Sequence, residues 1–262
     1  MPFTTSHPAI VLPLKRYFPK CVSLSGLMAG AMSPDLIYFL MADTSHRGLS
    51  HSWPGLFQFC LPAGILFTLA FQWLVKRPLI LNCPHAIVYR IGNLVENHFR
   101  LVSGRDWLIL ISSVLIGALS HFFWDAATHG SGEIVRMFPV LTTPVDLFGF
   151  NRPVYRLLQH LSSLFGLIFI PWYLLKTGLV RPATRAVPEP NTYTKLIFWG
   201  TGLVCGLVVA TIALELYEHN VSDLATFGLG VWAGFFWWSC LYSLVGVRFR
   251  IRHLIQDPYR QE

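Results

Sequence analysis

Five stretches of this chain are almost unbroken apolar runs long enough to cross a bilayer, and nothing else constrains its fold as strongly. They are Leu56–Val75, Trp107–Thr128, Leu157–Leu175, Leu196–Leu214 and Leu224–Val247. A helix needs roughly 20 apolar residues to traverse the hydrocarbon core. There the backbone must satisfy its own hydrogen bonds, so each run is predicted to be helical. A sixth stretch, Cys21–Ala42, has the length but carries Ser33, Pro34 and Asp35 near its end, and Pro8–Phe18 is apolar but too short to span. The expectation is an all-α polytopic membrane bundle with five or six spans, with an N-terminal re-entrant helical hairpin if the first two apolar segments pair.

Composition removes the alternatives. Of 262 residues, 53% are hydrophobic and only 13% are charged, half the roughly 25% charge of a soluble domain. Disorder and fibrous repeats are excluded by the same figures. The five cysteines are scattered and form no CxxC pair, which argues against a disulfide framework or a thiolate zinc site. A net charge of +7 would point to nucleic acid in a soluble protein. Here Lys and Arg collect at loop ends without a recognition fold, so membrane lipid is the expected partner and nucleic acid is not.

The same charges give an orientation. Lys76, Arg77, Arg90, Arg100 and Arg105 follow the first clear run, Lys176, Arg181, Arg185 and Lys195 follow the third, and Arg248, Arg250, Arg252 and Arg260 mark the tail. The loop between the last two runs has Glu215, Glu218 and Asp223 and no basic residue. By the positive-inside rule the basic loops and the C-terminus face the cytoplasm. The first twenty residues lack the marks of a cleavable signal peptide. The Pro-rich, aperiodic stretch Arg181–Thr194 reads as a linker between a domain over 1–180 and a C-terminal pair of helices with a basic tail over 195–262.

Within this apolar frame, HFFWDAATH places His121, Asp125 and His129 at i, i+4 and i+8, on one helix face about 6 Å apart along the axis. Ionisable side chains at such a depth are costly unless paired, hydrated or metal-bound. His121 and His129, about 12 Å apart along the axis, are too distant to share one ion directly. A two-metal cluster bridged by Asp125 is one arrangement that satisfies the spacing. A buried His–Asp pair at an ordinary helix end is the other.

Asp35 in SPDLIYF and His51 in HRGLSHSWPG fall on the same side of the membrane, with His46 in the loop before them. These O and N donors suit zinc first, with manganese or iron as alternatives. The absence of cysteine from the set favours a hydrolytic centre over a structural knot. His7 joins the set only if the N-terminal segments form a hairpin. If Cys21–Ala42 spans instead, His7 lies on the opposite side. Gln159 and His160 open the third run, where they would support the ligands, polarise a substrate or simply pack. No Ser/His/Asp arrangement and no phosphate-binding glycine loop is present.

The ordered series MPFTTSHPAIVLPL, SPDLIYF, LSHSWPGLFQFCLP, GALSHFFWDAATHGSG and VYRLLQHLSS resembles the uncharacterised membrane family called domain of unknown function 4184, over about residues 2–180. More distantly, HRGLSH followed by LSHFFWDAATH is similar to bacterial inner-membrane proteins classed as metal-dependent hydrolases, and through them to zinc-dependent phospholipase C. The resemblance implies that His7, Asp35, His51, His121, Asp125 and His129 occupy the family's polar positions. It supplies no substrate; a His/Asp metal site at the membrane–water boundary suggests metal-assisted hydrolysis of a lipid or lipid-linked phosphoester, with His121 and Asp125 at the centre of the chemistry. The rival expectation is a non-enzyme, either an ion or proton transporter or a scaffold held together by its metal.

Overall fold

The computed structural model describes residues 4–41, 47–97, 99–147, 149–184, 189–216 and 223–256. They divide into two units, one of Met1–Thr68 with Arg100–Leu179 and one of Leu69–Phe99 with Val180–Glu262. Residues 69–99, inside the domain expected over 1–180, therefore cluster with the C-terminal segment.

The Cys21–Ala42 stretch does not form one helix. Ser23 caps helix α1 (Leu24–Met32) by accepting the Gly26 N–H. The helix stops where Pro34 can supply no backbone donor, and Ser33 turns its hydroxyl back onto the Gly30 carbonyl. A 3-10 turn over Ser33–Asp35 and a short helix over Leu36–Met41 follow. At 1.5 Å per residue α1 is only about 14 Å long, half the hydrocarbon thickness. The segment before it also turns back. A 3-10 stretch over Thr4–Ile10 and a helix over Leu12–Tyr17 lead into a bend that Lys15 closes by donating to Pro19 O and Val22 O. Val11, Val22, Leu27 and Ala31 bury one another between the two arms. The N-terminal hairpin is formed.

Helix α2 (Trp53–Leu81) is continuous but widens into π turns over Leu56–Cys60 and Phe71–Val75. Each wide turn lies just before a proline in the helix, Pro62 or Pro78, whose ring would otherwise press on the carbonyl four residues back. Helix α3 (Gly104–Thr128) opens on a Ser103/Asp106 capping box and buries Leu110, Val114, Gly117, Ala118, His121 and Asp125 along one stripe. That stripe meets α1 at very short range. A Cβ on Gly30 would lie 2.1 Å from Val114 O, and one on Gly117 would lie 2.3 Å from Leu27 O. After α3 come a short helix (Glu133–Met137), a hairpin of β1 (Pro144–Leu147) and β2 (Phe150–Pro153), and helix α4 (Val154–Lys176). The hairpin is the one sheet among the described residues and leaves the all-α class intact.

In the second unit, α5 (Thr192–Leu216) and α6 (Asp223–Gln256) form an antiparallel pair. Phe198, buried completely, packs edge-on to Phe235 and Tyr242. Gly230 and Gly234 let α6 touch the backbone of α5 at Ala210 and Cys205. Ser243 donates to Leu74 O, the carbonyl that Pro78 leaves without its helical partner. The start of the stretch expected as a linker carries hydrogen bonds. Arg181 N donates to Asn93 Oδ1, Asn93 N returns to Arg181 O, and Thr184 bonds to Glu96. The basic stripe at 247–253 lies within the α6 helix.

Four helices among the described residues are long and apolar enough to cross a membrane: Trp53–Leu81, Gly104–Met137, Val154–Lys176 and Thr192–Glu215. The expected count of five or six is corrected to four. Cys21–Ala42 is lost because Ser33 and Pro34 break it. Leu224–Val247 lies within α6, several of whose side chains are not described, and stands outside the four.

The α5–α6 contact makes a testable claim. Gly234→Val would set a methyl-bearing Cβ about where Cys205 O stands, 2.6 Å away. The pair is expected to open there, and Cys205, now half-buried, should react with a thiol reagent at least tenfold faster. An unchanged labelling rate would refute the close packing.

Candidate metal centre

The α3 stripe carries His121 and Asp125 into the wall of the first unit, where each meets groups from elsewhere in the chain. His121 is completely buried, and its Nδ1 lies 2.8 Å from Ala31 O at the end of α1. A carbonyl can only accept, so Nδ1 carries the proton and a neutral ring presents its one lone pair at Nε2. Asp35, just past the α1 break, takes a hydrogen bond from the Thr4 hydroxyl at Oδ2, 2.6 Å, which leaves Oδ1 facing the imidazoles. Ser52 caps the start of α2 and so fixes the chain at His51, whose Nδ1 lies 2.9 Å from Ser50 Oγ. Its Nε2 points inward.

Four donor atoms converge. His51 Nε2 lies 3.6 Å from Asp35 Oδ1 and 3.5 Å from Asp125 Oδ2. His121 Nε2 lies 3.6 Å from each of the same two oxygens. These separations exceed the 2.7–3.2 Å of an N–H···O hydrogen bond. They leave room for a cation between each imidazole and the carboxylates. His51 Nε2, His121 Nε2 and both nitrogens of His7 are buried without a hydrogen-bond partner. Each such atom costs about 1–3 kcal/mol if nothing satisfies it. Two carboxylates facing two lone pairs form a cation-binding set, and the donor chemistry fits a divalent ion of intermediate hardness.

His7 completes the inner wall. Its ring stacks on His121 with centroids 3.9 Å apart, and the edge of Trp124 closes over it. Burial above all, helped by the neighbouring His121, pulls the His7 pKa down to about 3, so the ring is neutral and available as a donor. His7 with His121 and Asp125, and Asp35 with His51 and His121, form two groups whose donor atoms lie within 4.8 Å of one another. Both use His121, whose single free lone pair serves one ion. The two groups share His121 and together take in five residues.

His129 enters differently. It follows the last residue of α3 in extended conformation, with Nδ1 3.2 Å from Asp125 Oδ1 and Nε2 buried without a partner. It lies outside both donor groups, against the far oxygen of Asp125. Asp35 and His51 reach His121 from other elements. Gln159 is buried on α4 and His160 is exposed. His46 lies outside the described residues, as do Glu218 and His219.

Two contributors escaped the sequence. The Ala31 carbonyl orients His121 but has no sequence signature. Thr4 orients Asp35 across the hairpin, and its only trace is the polar TTSH preceding an apolar run.

The family described as domain of unknown function, DUF4184, matches this chain over residues 1–245, past the 1–180 expected from the motifs. No curated protein and no solved structure matches.

Proposed function

The chain belongs to the DUF4184 family, and from the centre it assembles we propose a membrane-embedded, metal-dependent hydrolase that acts on a lipid or lipid-linked phosphoester. One observation carries this reading: the buried nitrogens of His51 and His121 each lie 3.5–3.6 Å from an oxygen of Asp35 and an oxygen of Asp125. Zinc is the proposed ion. Such an ion supplies a Lewis acid and a bound water with a pKa lowered toward about 7.

The protein's own groups divide the remaining work. His121 and Asp35, with side chains 0% and 3% exposed, form the closed side. His51, Asp125 and His129, at 10–12%, form the accessible side, where a substrate would enter. Asp125 uses one oxygen toward the centre and the other to hold His129, which can then take up or release a proton there. The apolar helices around the site favour a substrate that arrives laterally from the bilayer. The test is metal analysis of protein purified in detergent without added metal, followed by hydrolysis assays on phospholipid phosphoesters. One tightly bound zinc per chain and zinc-dependent turnover are expected. A chain that neither retains nor rebinds metal after stripping would overturn the proposal.

We further propose that the C-terminus faces the cytoplasm, on the Lys/Arg distribution. Reporter fusions after Gln261 and within Glu218–Asp223 should signal from opposite sides. The same side at both points would refute the orientation.

A further inference from the structure

The start of α4 gathers groups whose chemistry suits an oxyanion. Gln159 is one of the largest fully buried side chains, 2% exposed, and its Nε2 has no hydrogen-bond partner. Its Oε1 lies 3.4 Å from Arg156 Nη1, one turn earlier on the same helix. Arg156 is exposed and lies 5.9 Å from the centroid of the Tyr155 ring. Pro153 gives α4 no side-chain cap, although Val154 N donates to Thr143 O. The positive end of a 23-residue helix, a guanidinium and a buried amide donor thus share one corner.

The face that carries Gln159 looks toward the metal side of the unit. Three and four residues along it, Ser162 accepts from Trp124 Nε1 at 3.2 Å and Ser163 O accepts from Ser6 Oγ at 2.7 Å. Trp124 and Ser6 flank the site residues Asp125 and His7 in sequence. A helical side chain leans toward its own N-terminus, so Gln159 leans toward the end of α4 where the Tyr155 hydroxyl would meet a Cβ on Gly130 at 3.0 Å. Gly130 directly follows His129.

We propose that Arg156, Gln159 and the first turn of α4 bind a phosphate group whose ester bond is presented to the adjacent centre. This rests on the hydrolase reading for its role, but not for its chemistry. Arg156 supplies charge at the mouth and Gln159 supplies an N–H directed inward. The pair distinguishes a phosphoester from a neutral ester, which offers no anion to hold.

The test uses full-length protein in a neutral maltoside detergent. Binding of inorganic phosphate and of dihexanoyl phosphatidic acid is measured by calorimetry, both zinc-loaded and after EDTA stripping. Wild type should bind in both metal states, while Arg156→Ala and Gln159→Glu should each weaken binding at least tenfold. Arg152→Ala, an exposed arginine on β2, should change it less than twofold. Gln159→Glu keeps the side chain's size, and circular dichroism with unchanged zinc content checks its fold. Binding of phosphatidic acid alone identifies the source as a lipid headgroup, and binding of both probes identifies a general phosphate site. Binding that vanishes on stripping and ignores both substitutions overturns the proposal and leaves the metal reading standing. Binding that persists in a chain found to hold no metal does the reverse. No binding of either probe overturns the proposal outright.

Discussion

Asp125→Asn should strip the protein of its divalent metal and abolish any metal-dependent turnover. The substitution keeps the side chain's size and its contact with His129 Nδ1, but it removes a charge from a donor oxygen 3.5–3.6 Å from two imidazoles. The clearest reading comes from thermal unfolding with and without added zinc. Free metal at 100 times its dissociation constant stabilises a one-site protein by about 2.7 kcal/mol. For a chain of this length that is roughly 5–10 °C. Wild type should gain that increment and Asp125→Asn should gain almost none, with His121→Ala behaving alike. Because imidazole binds metal only when neutral, the wild-type gain should also fade on acidification. If the residues formed merely a buried ion-pair network, zinc would shift neither protein. Asparagine would then be tolerated or even stabilising, since it removes a costly buried charge. A stripped wild type that ignores zinc at neutral pH would end the metal interpretation.

Gly30→Val should be more damaging still, although residue 30 touches no ligand. Its Cβ would stand 2.1 Å from Val114 O and 2.8 Å from Val114 C. Backbone atoms cannot rotate away as a side chain can, so α1 and α3 must separate. A loss on the order of 4–5 kcal/mol is expected, enough to unfold a domain of ordinary stability. Since α1 delivers both Ala31 O and Asp35 to His121, metal retention should fail together with folding. Gly200→Ala in α5 is the control, because nothing lies within 4 Å of its added Cβ, and alanine favours a helix interior by up to about 1 kcal/mol. Normal yield and metal content for Gly30→Val would show that the two helices do not approach as described.

These two sites also mark where the sequence was legible. The apolar runs announced the long helices because bilayer thickness is a hard length requirement that composition reports directly. His121 and Asp125 were legible because helical periodicity alone puts them on one face. Asp35 and His51 could be nominated by residue type, but their meeting with His121 depends on a helix break and a helix start that share no sequence neighbourhood. The fate of Cys21–Ala42 turned on Ser33 and Pro34. Hydropathy counts these as two mildly polar residues in a long run, whereas the backbone treats them as a stop. His7 was undecidable until the hairpin was seen to close, since closure depends on Lys15 reaching Pro19 O and Val22 O. Proline-rich, aperiodic composition reports the lack of regular structure, and is silent about hydrogen bonds such as those between Arg181 and Asn93.

The Ala31–His121 hydrogen bond has a consequence for how such a centre can change over time. Its acceptor is a main-chain carbonyl in the last turn of α1, one of those that a helix end leaves free. No exchange of the residue 31 side chain deletes it. The supports of two further ligands, Thr4 for Asp35 and Ser50 for His51, are hydroxyl groups that a single codon change removes. The centre is therefore lopsided toward mutation. The His121 wall is buffered against drift, while the Asp35 and His51 walls stay adjustable one residue at a time. Variation that retunes the ion or its substrate should accumulate at positions 4 and 50 before it reaches the ligands.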